Sequence, residues 1–249
     1  MAGHNKWKQI KHKKAITDSK RASAWTKIIR EITVAAKAGG GDPDGNPRLR
    51  LAMDDARAAN MPKENIERAI KKGTGELEGQ SYEELSYEGY GPGGTAIFIE
   101  ATTDNANRTV AEIRHAFSRN GGNLGASNSV AWMFDRKGQI YLDATRYEED
   151  GTLEAALEAG AEDFSREGDQ YVVTTTPATF HAVQDALRAG RLEIDSAELA
   201  MVPRNTVKVE GADAERILRL VEVLEELDDV SKVFSNFDID AAHLAEAEA

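Results

Sequence analysis

From Asp18 onward the apolar positions Ala22, Trp25, Ile28, Ile29, Ile32, Ala35 and Ala36 recur at helical spacing and stop at Gly39-Gly40-Gly41. That pattern predicts one amphipathic helix running to about Ala38, with Asp18 placed to cap it. Asn46-Pro47, a capping residue followed by a first-turn proline, opens a second helix to about Ala59 with Leu49, Met53 and Ala56 on one face. Met61-Pro62 restarts a third, with Ile66 and Ile70 inward and Gly73 as its stop. Three short helices on tight turns make a small bundle. Residues 1–16 carry no usable period and read as extended or loosely ordered.

Between Gly75 and Tyr90 the pattern gives way to acids, Gly and Ser, and then to the turn-rich Gly89-Tyr90-Gly91-Pro92-Gly93-Gly94, so a domain boundary is expected near residue 80. Beyond it the period moves toward two. Thr95–Ala101 reads as a buried strand, Asn105–Arg119 as a helix capped by Thr103 or Asp104, and Val130–Phe134 as a strand. Gln139–Asp143, Glu148–Ala159, Ala161–Ser165, Gln170–Thr175, Pro177–Ala189 and Leu192–Ser196 follow as strand, helix, strand, strand, helix, strand. After Pro203, Thr206–Glu210, Ala212–Glu226 and Val230–Ser235 read strand, helix, strand.

Residues 138–200 thus hold a complete β-α-β-β-α-β set, the ferredoxin-like order, and the units on either side form a second set if joined. The expected class is α+β: an N-terminal three-helix domain followed by two ferredoxin-like domains, one inserted in the other. Expected boundaries are 1–80 for a basic arm and the bundle, 81–136 plus 203–240 for the discontinuous domain, 137–202 for the inserted one, and 241–249 for an acidic tail.

Charge changes the picture more than overall composition does. The chain of 249 residues has a net charge of −12. Its first 37 residues nevertheless hold ten Lys or Arg against two acids. Residues 1–80 sum to +7 and residues 81–249 to −19. A compact basic arm on an acidic body implies a polyanionic partner confined to one face. Lys6, Lys8, Lys11, His12, Lys13, Lys14, Lys20 and Arg21 are the candidate contacts, extended by Arg30, Lys37, Arg48 and Arg50 on the bundle. Arg57, Arg68, Lys71 and Lys72 lie on or near the same polar faces. Trp7, set among lysines, fits two roles: a stacking platform for an unpaired base, or, with Ile10, a pin holding the arm to the bundle.

Catalytic chemistry is thin. With no cysteine there is no thiolate zinc site and no cysteine nucleophile. The five histidines lack metal-ligand spacing, and the glycine-rich stretches lack the Lys-Ser/Thr of a phosphate-binding P-loop. The expectation is no enzyme, no cofactor, no metal, no identified small-molecule substrate and no membrane span, with the oligomeric state open. Two polar loops remain as secondary candidates: Asn105, Asn107 and Arg108 at a helix start, and Asn120 and Asn123 beside Gly121-Gly122.

These motifs in this order resemble the YebC/PmpR family, whose relatives include a mitochondrial translational activator. The resemblance rests on Gly3-His4-Asn5-Lys6-Trp7, Ile10-Lys11-His12-Lys13-Lys14, Asp18–Arg21, Ile32–Lys37 with Gly39–Pro43, Asn46–Leu49, Asn60–Lys63, Ile66–Ile70, Tyr87–Gly94, Thr103–Asn105 with Asn107-Arg108, and Gly121–Leu124. It covers essentially the whole chain; Asn5 stands where the family pattern has a serine. It implies a three-domain fold, a cytoplasmic location and a non-enzymatic role in gene expression. The family is commonly labelled as DNA-binding transcriptional regulators, while other members assist translation on the ribosome through difficult stretches such as consecutive prolines. Lysines and one aromatic in an unstructured segment suit structured RNA, and no recognition helix for base readout stands out. Ribosomal RNA is therefore the favoured partner, with promoter DNA as the alternative and a protein-binding adaptor third.

Overall fold

The structure, a computed structural model, describes residues 18–240, with side chains from Ala22 onward. Its helical bundle consists of α1 (Asp18–Gly39), α2 (Pro47–Ala58) and α3 (Lys63–Gly73). Asn46 shapes the first turn: its amide donates to the carbonyls of Ala35 (2.8 Å) and Gly40 (2.9 Å), while its Oδ1 accepts from Leu49 N (3.1 Å) and caps α2. Small residues let the helices close on one another, with Ala35, Ala36, Ala52, Ala56 and Ala69 buried beside Ile32, Leu49 and Ile66. Gly73 is required by this packing, because a Cβ there would lie 2.4 Å from Thr33 O and 2.7 Å from Ala36 Cβ. The C-terminal ends of α1 and α3 converge at that contact.

The next stretch departs from expectation. Glu83–Tyr90, for which no element is expected, is a strand, β1, paired antiparallel along its length with β2 (Ala96–Thr103) across the Pro92–Gly94 turn. Its apolar positions are sparse because only Gly89 and the Glu88 side chain are buried on it, so hydrophobic patterning gave no signal. Glu88 is satisfied there, accepting from the backbone N–H of Asn128, Val130 and Ala131, each at 2.7 Å. α4 (Ala106–Arg119) and a short β3 (Asn123–Leu124) follow. The expected strand at 130–134 is instead this Glu88-bound loop, ending in a 3-10 turn over Ala131–Met133.

β4 (Phe134–Asp143) is one continuous strand where only its second half was expected. After it come α5 (Glu149–Glu158), β5 (Asp163–Glu167), β6 (Gln170–Thr175), α6 (Phe180–Ala189) and β7 (Ser196–Pro203). The last strand begins where the expected one ended. Leu192 and Ile194 look like strand residues, but Arg191 takes a left-handed φ of 64° and Leu192 N closes the end of α6 on Leu187 O, so both pack as loop. The chain finishes with β8 (Val207–Lys208), α7 (Gly211–Glu226), β9 (Val230–Ser235) and β10 (Phe237–Asp238). β8 and β10 form a parallel two-residue ribbon.

The strand order β5-β6-β4-β7, antiparallel throughout, is the ferredoxin-like arrangement. The other sheet runs β3-β1-β2-β9, a hairpin-first variant rather than the strand-helix-strand pair expected. The α+β class holds. α4 and α7 cover one face of the latter sheet, with Ile97, Ile99, Phe117, Ile217, Leu220 and Leu224 fully buried between them. Its opposite face meets the second sheet through Phe98, Phe134, Ala200 and Phe234, which is why β2 is buried on both sides.

Candidate nucleic-acid interface

Lys6, Trp7, Lys8, Lys11, His12, Lys13 and Lys14 lie outside the described residues, as does the tail at 241–249; Lys20 and Arg21 fall within α1 but without described side chains. The four basic residues expected on the bundle are described, and three of them face carboxylates of the protein itself. Arg30 is 13% exposed and donates from Nη1 to the carboxylate of Asp229 (2.8 Å), to Thr102 O (3.3 Å) and to Asp228 O, with its guanidinium 5.6 Å from the Tyr82 ring centroid. Arg48 clamps Glu31 in bidentate fashion (2.7 and 3.0 Å) and reaches Glu84 on β1. Burial opposes its charge, but the hydrogen bonds and charges of Glu31 and Glu84 outweigh that and hold it more firmly protonated than usual. Arg50 faces Asp185 on α6 at 3.8 Å.

The secondary loops are likewise built into the fold. Asn105 caps α4 by accepting from Arg108 N (3.1 Å), and Asn107 beside it is exposed. Arg108 donates to Asp104 (2.8 Å) and, from Nε and Nη2, to Asp229 (3.1 and 2.7 Å). Asn120 donates to Ala116 O (2.8 Å) at the end of α4, and Asn123 sits in β3 opposite Tyr90. The centre of this network, Asp229, was not singled out from sequence; between a helix and a strand it reads as an ordinary turn acid. It is 3% exposed and also accepts from Thr103 (3.1 Å) and Thr109 (2.8 Å). Burial alone would raise its carboxyl, yet the hydrogen bonds from Arg108, Thr109 and Thr103, with the charge of Arg30, hold it below the usual range.

The cations left free on the bundle gather elsewhere. Lys37 is exposed, donating to Ser81 Oγ at 3.0 Å, and its backbone lies at the Gly73 contact that joins the ends of α1 and α3. Lys71 and Lys72 end α3, and Arg68 lies one turn earlier; all three are exposed and without an ion pair among the described residues. Cations at helix C-termini also favour the helix dipole, so the cluster has a structural role of its own. α1 is about 30 Å long, so this cluster lies at the end of the helix opposite Asp18.

Among the described residues no group of three or more His, Asp or Glu is arranged to hold a metal ion, and no helix is long and apolar enough to cross a membrane.

Two family models match the chain: the TACO1/YebC protein N-terminal domain over residues 5–76, and the TACO1/YebC second and third domain over residues 82–237. A protein of Gemmatimonas aurantiaca named probable transcriptional regulatory protein is 58% identical over 247 residues, spanning 99% of this chain and 100% of its own length. One of the same name from Acidithiobacillus ferrooxidans is 56% identical over 249 residues, spanning 100% and 99%. Among solved structures, a conserved hypothetical protein of Aquifex aeolicus matches with a TM-score of 0.86 at 48% identity, over 93% of this chain and 96% of that one.

Proposed function

The chain belongs to the TACO1/YebC family, and on that premise we propose that it is a non-enzymatic, cytoplasmic nucleic-acid-binding regulator acting on RNA at the ribosome through its basic arm. The observation that carries the reading is the charge asymmetry: ten basic residues against two acids in the first 37, on a chain whose net charge is −12. Lys6, Lys8, Lys11, Lys13, Lys14, Lys20 and Arg21 supply phosphate contacts, His12 a further donor, and Trp7 a face for an unpaired base. Lys37, Lys71 and Lys72 form the second basic patch. Arg30, Arg48 and Arg50 are left out because each faces a carboxylate of the protein itself. The working units are the arm and bundle (1–80), the discontinuous domain (81–136 plus 203–240) and the inserted domain (137–202).

A second reading has its own support, since the relatives are named probable transcriptional regulatory proteins. Promoter recognition needs side chains free to reach base edges. Arg48, Arg50 and Arg57, the arginines of α2, are engaged with acids within the chain, which favours the RNA reading.

The test replaces Lys6, Lys8, Lys11, Lys13 and Lys14 by Ala and follows co-sedimentation with ribosomes, with and without RNase. The wild type is expected to co-sediment in an RNase-sensitive way and the variant to lose affinity at least about tenfold, with a shallower salt dependence. A sequence-specific DNA footprint from a chain that ignores ribosomes would replace this reading with the transcriptional one.

A further inference from the structure

α4 and α7 lie side by side on the outer face of their sheet, and a cleft of about 570 Å³ opens between them. Its floor is apolar, formed by Ala116, Val223 and Leu227, and its rim carries His115, Arg119 and Arg219. Glu112 and Asn120 complete the lining. Residues 81–249 are strongly acidic, and ten of their 14 cations are neutralised: Arg108, Arg136, Lys137, Arg146, Arg166, Arg188, Arg204, Lys208, Arg216 and Lys232 each face a carboxylate. Arg119 and Arg219 are exposed and without a partner among the described residues, as are Arg114 on α4 and Arg191 after α6. Two arginines without a carboxylate partner over an apolar floor suit an anion with an apolar part.

The position of the cleft narrows the choice. The first turns of α1 run along the end of α7, where Ser23 Oγ donates to Asp228 (3.2 Å) and Lys27 to Glu225 O, flanking Leu227 of the floor. Ser23 is five residues, about 8 Å of helix, from Asp18, where α1 leaves the basic arm. The start of α1, to which the basic arm is joined in sequence, is thus one to two turns from the residues that flank the Leu227 end of the cleft.

We propose that the α4–α7 cleft is a nucleotide-binding subsite: a base lies on Ala116, Val223 and Leu227 while Arg119 and Arg219 hold its phosphate. The volume falls in the range of small-ligand pockets. Planar guanidinium groups bind phosphate in bidentate fashion, and Glu112 is an acceptor for a ribose hydroxyl or an exocyclic amine. The subsite rests on the nucleic-acid reading of the arm, and the nucleotide is either free or one unit of the strand that the arm engages.

The full chain is titrated with AMP, with inorganic phosphate and with a short single-stranded oligoadenylate, following the methyl resonances of Val223 and Leu227. Three proteins are compared: wild type, the double variant Arg119→Ala with Arg219→Ala, and the arm variant lacking the five lysines. Both arginines are exposed and unpaired, so their removal leaves the fold intact. AMP is expected to shift the cleft methyls in wild type and arm variant alike but not in the double variant, which also binds oligoadenylate about tenfold more weakly if the nucleotide belongs to a strand. AMP binding with unchanged oligoadenylate affinity assigns the cleft to a free nucleotide, and the converse to a strand. Methyls that respond to neither ligand, or equally to phosphate, overturn the subsite. Oligoadenylate binding lost only in the arm variant, with no methyl response to AMP, leaves the arm reading standing without the cleft. Oligoadenylate binding unchanged in the arm variant removes the arm reading and not the cleft.

Discussion

On one side of the bundle Arg30 of α1 runs into a carboxylate that is 3% exposed and accepts from four side chains; on the other, Arg50 of α2 stands 3.8 Å from an Asp185 that is 58% exposed. The first seam joins the bundle to β2, α4 and the turn before β9, and nearly every polar group in it has a partner. The second joins the bundle to α6 through Arg50–Asp185 and Arg188–Asp54 (3.4 Å), with Leu51 packed against the core beneath. Buried charge is tolerated only when fully matched, whereas exposed pairs are screened and contribute little. The bundle is therefore fixed to the sheet beside the α4–α7 cleft and only lightly held to the ferredoxin-like sheet.

The largest expected effect comes from Asp229→Ala. It strands Arg30, Arg108, Thr103 and Thr109, and is expected to cost about 3 kcal/mol or more in urea unfolding. A loss under about 1 kcal/mol would erase the distinction between the seams. Arg30→Ala leaves Arg108 on the carboxylate and is expected to cost about 2 kcal/mol. Acid should separate the seams as well. Because the Asp229 carboxyl is held low, its contribution is present above the ordinary Asp pKa of about 3.9 and is lost as pH falls further. Acid unfolding followed by circular dichroism should therefore be steeper below pH about 4 in wild type than in Asp229→Asn. Arg188→Ala and Arg50→Ala should each stay within about 0.5 kcal/mol of wild type.

The smallest effect has the opposite sign. Asp55 on α2 is exposed on one side, but the protein against its other side, with Glu198, Asp54 and Glu31 nearby, pushes its carboxyl up to about 6, Lys232 pulling the other way. A raised carboxyl favours the folded state while protonated, so stability should fall slightly as pH rises from about 4 to about 6. Asp55→Asn should flatten that slope.

The bundle was legible because its signals are local: Asn46-Pro47, the alanines of α1 and the stop at Gly73 all act within one or two turns. β1 was not, since a strand whose buried side chain is Glu88 has no apolar alternation to read. The basic patch was half legible. Lysine density marks the arm, but Arg30 looks like any cation beside an apolar stripe. Its partner lies 199 residues away, so its commitment to Asp229 is a property of the fold alone. The α4–α7 cleft escaped notice because Arg119 and Arg219 come from helices on opposite sides of the inserted unit, and only the sheet brings them together.

That separation also sets an order in time. As the chain is synthesised from its N-terminus, α1 is complete long before the turn that carries Asp229, and β9, the last partner of β2, follows the whole inserted unit. Until then Arg30 has no buried acid to meet and the cleft lacks its second wall. Seam and cleft are finished together by α7, β9 and the turn between them, so a nascent product carries the basic arm before either is complete.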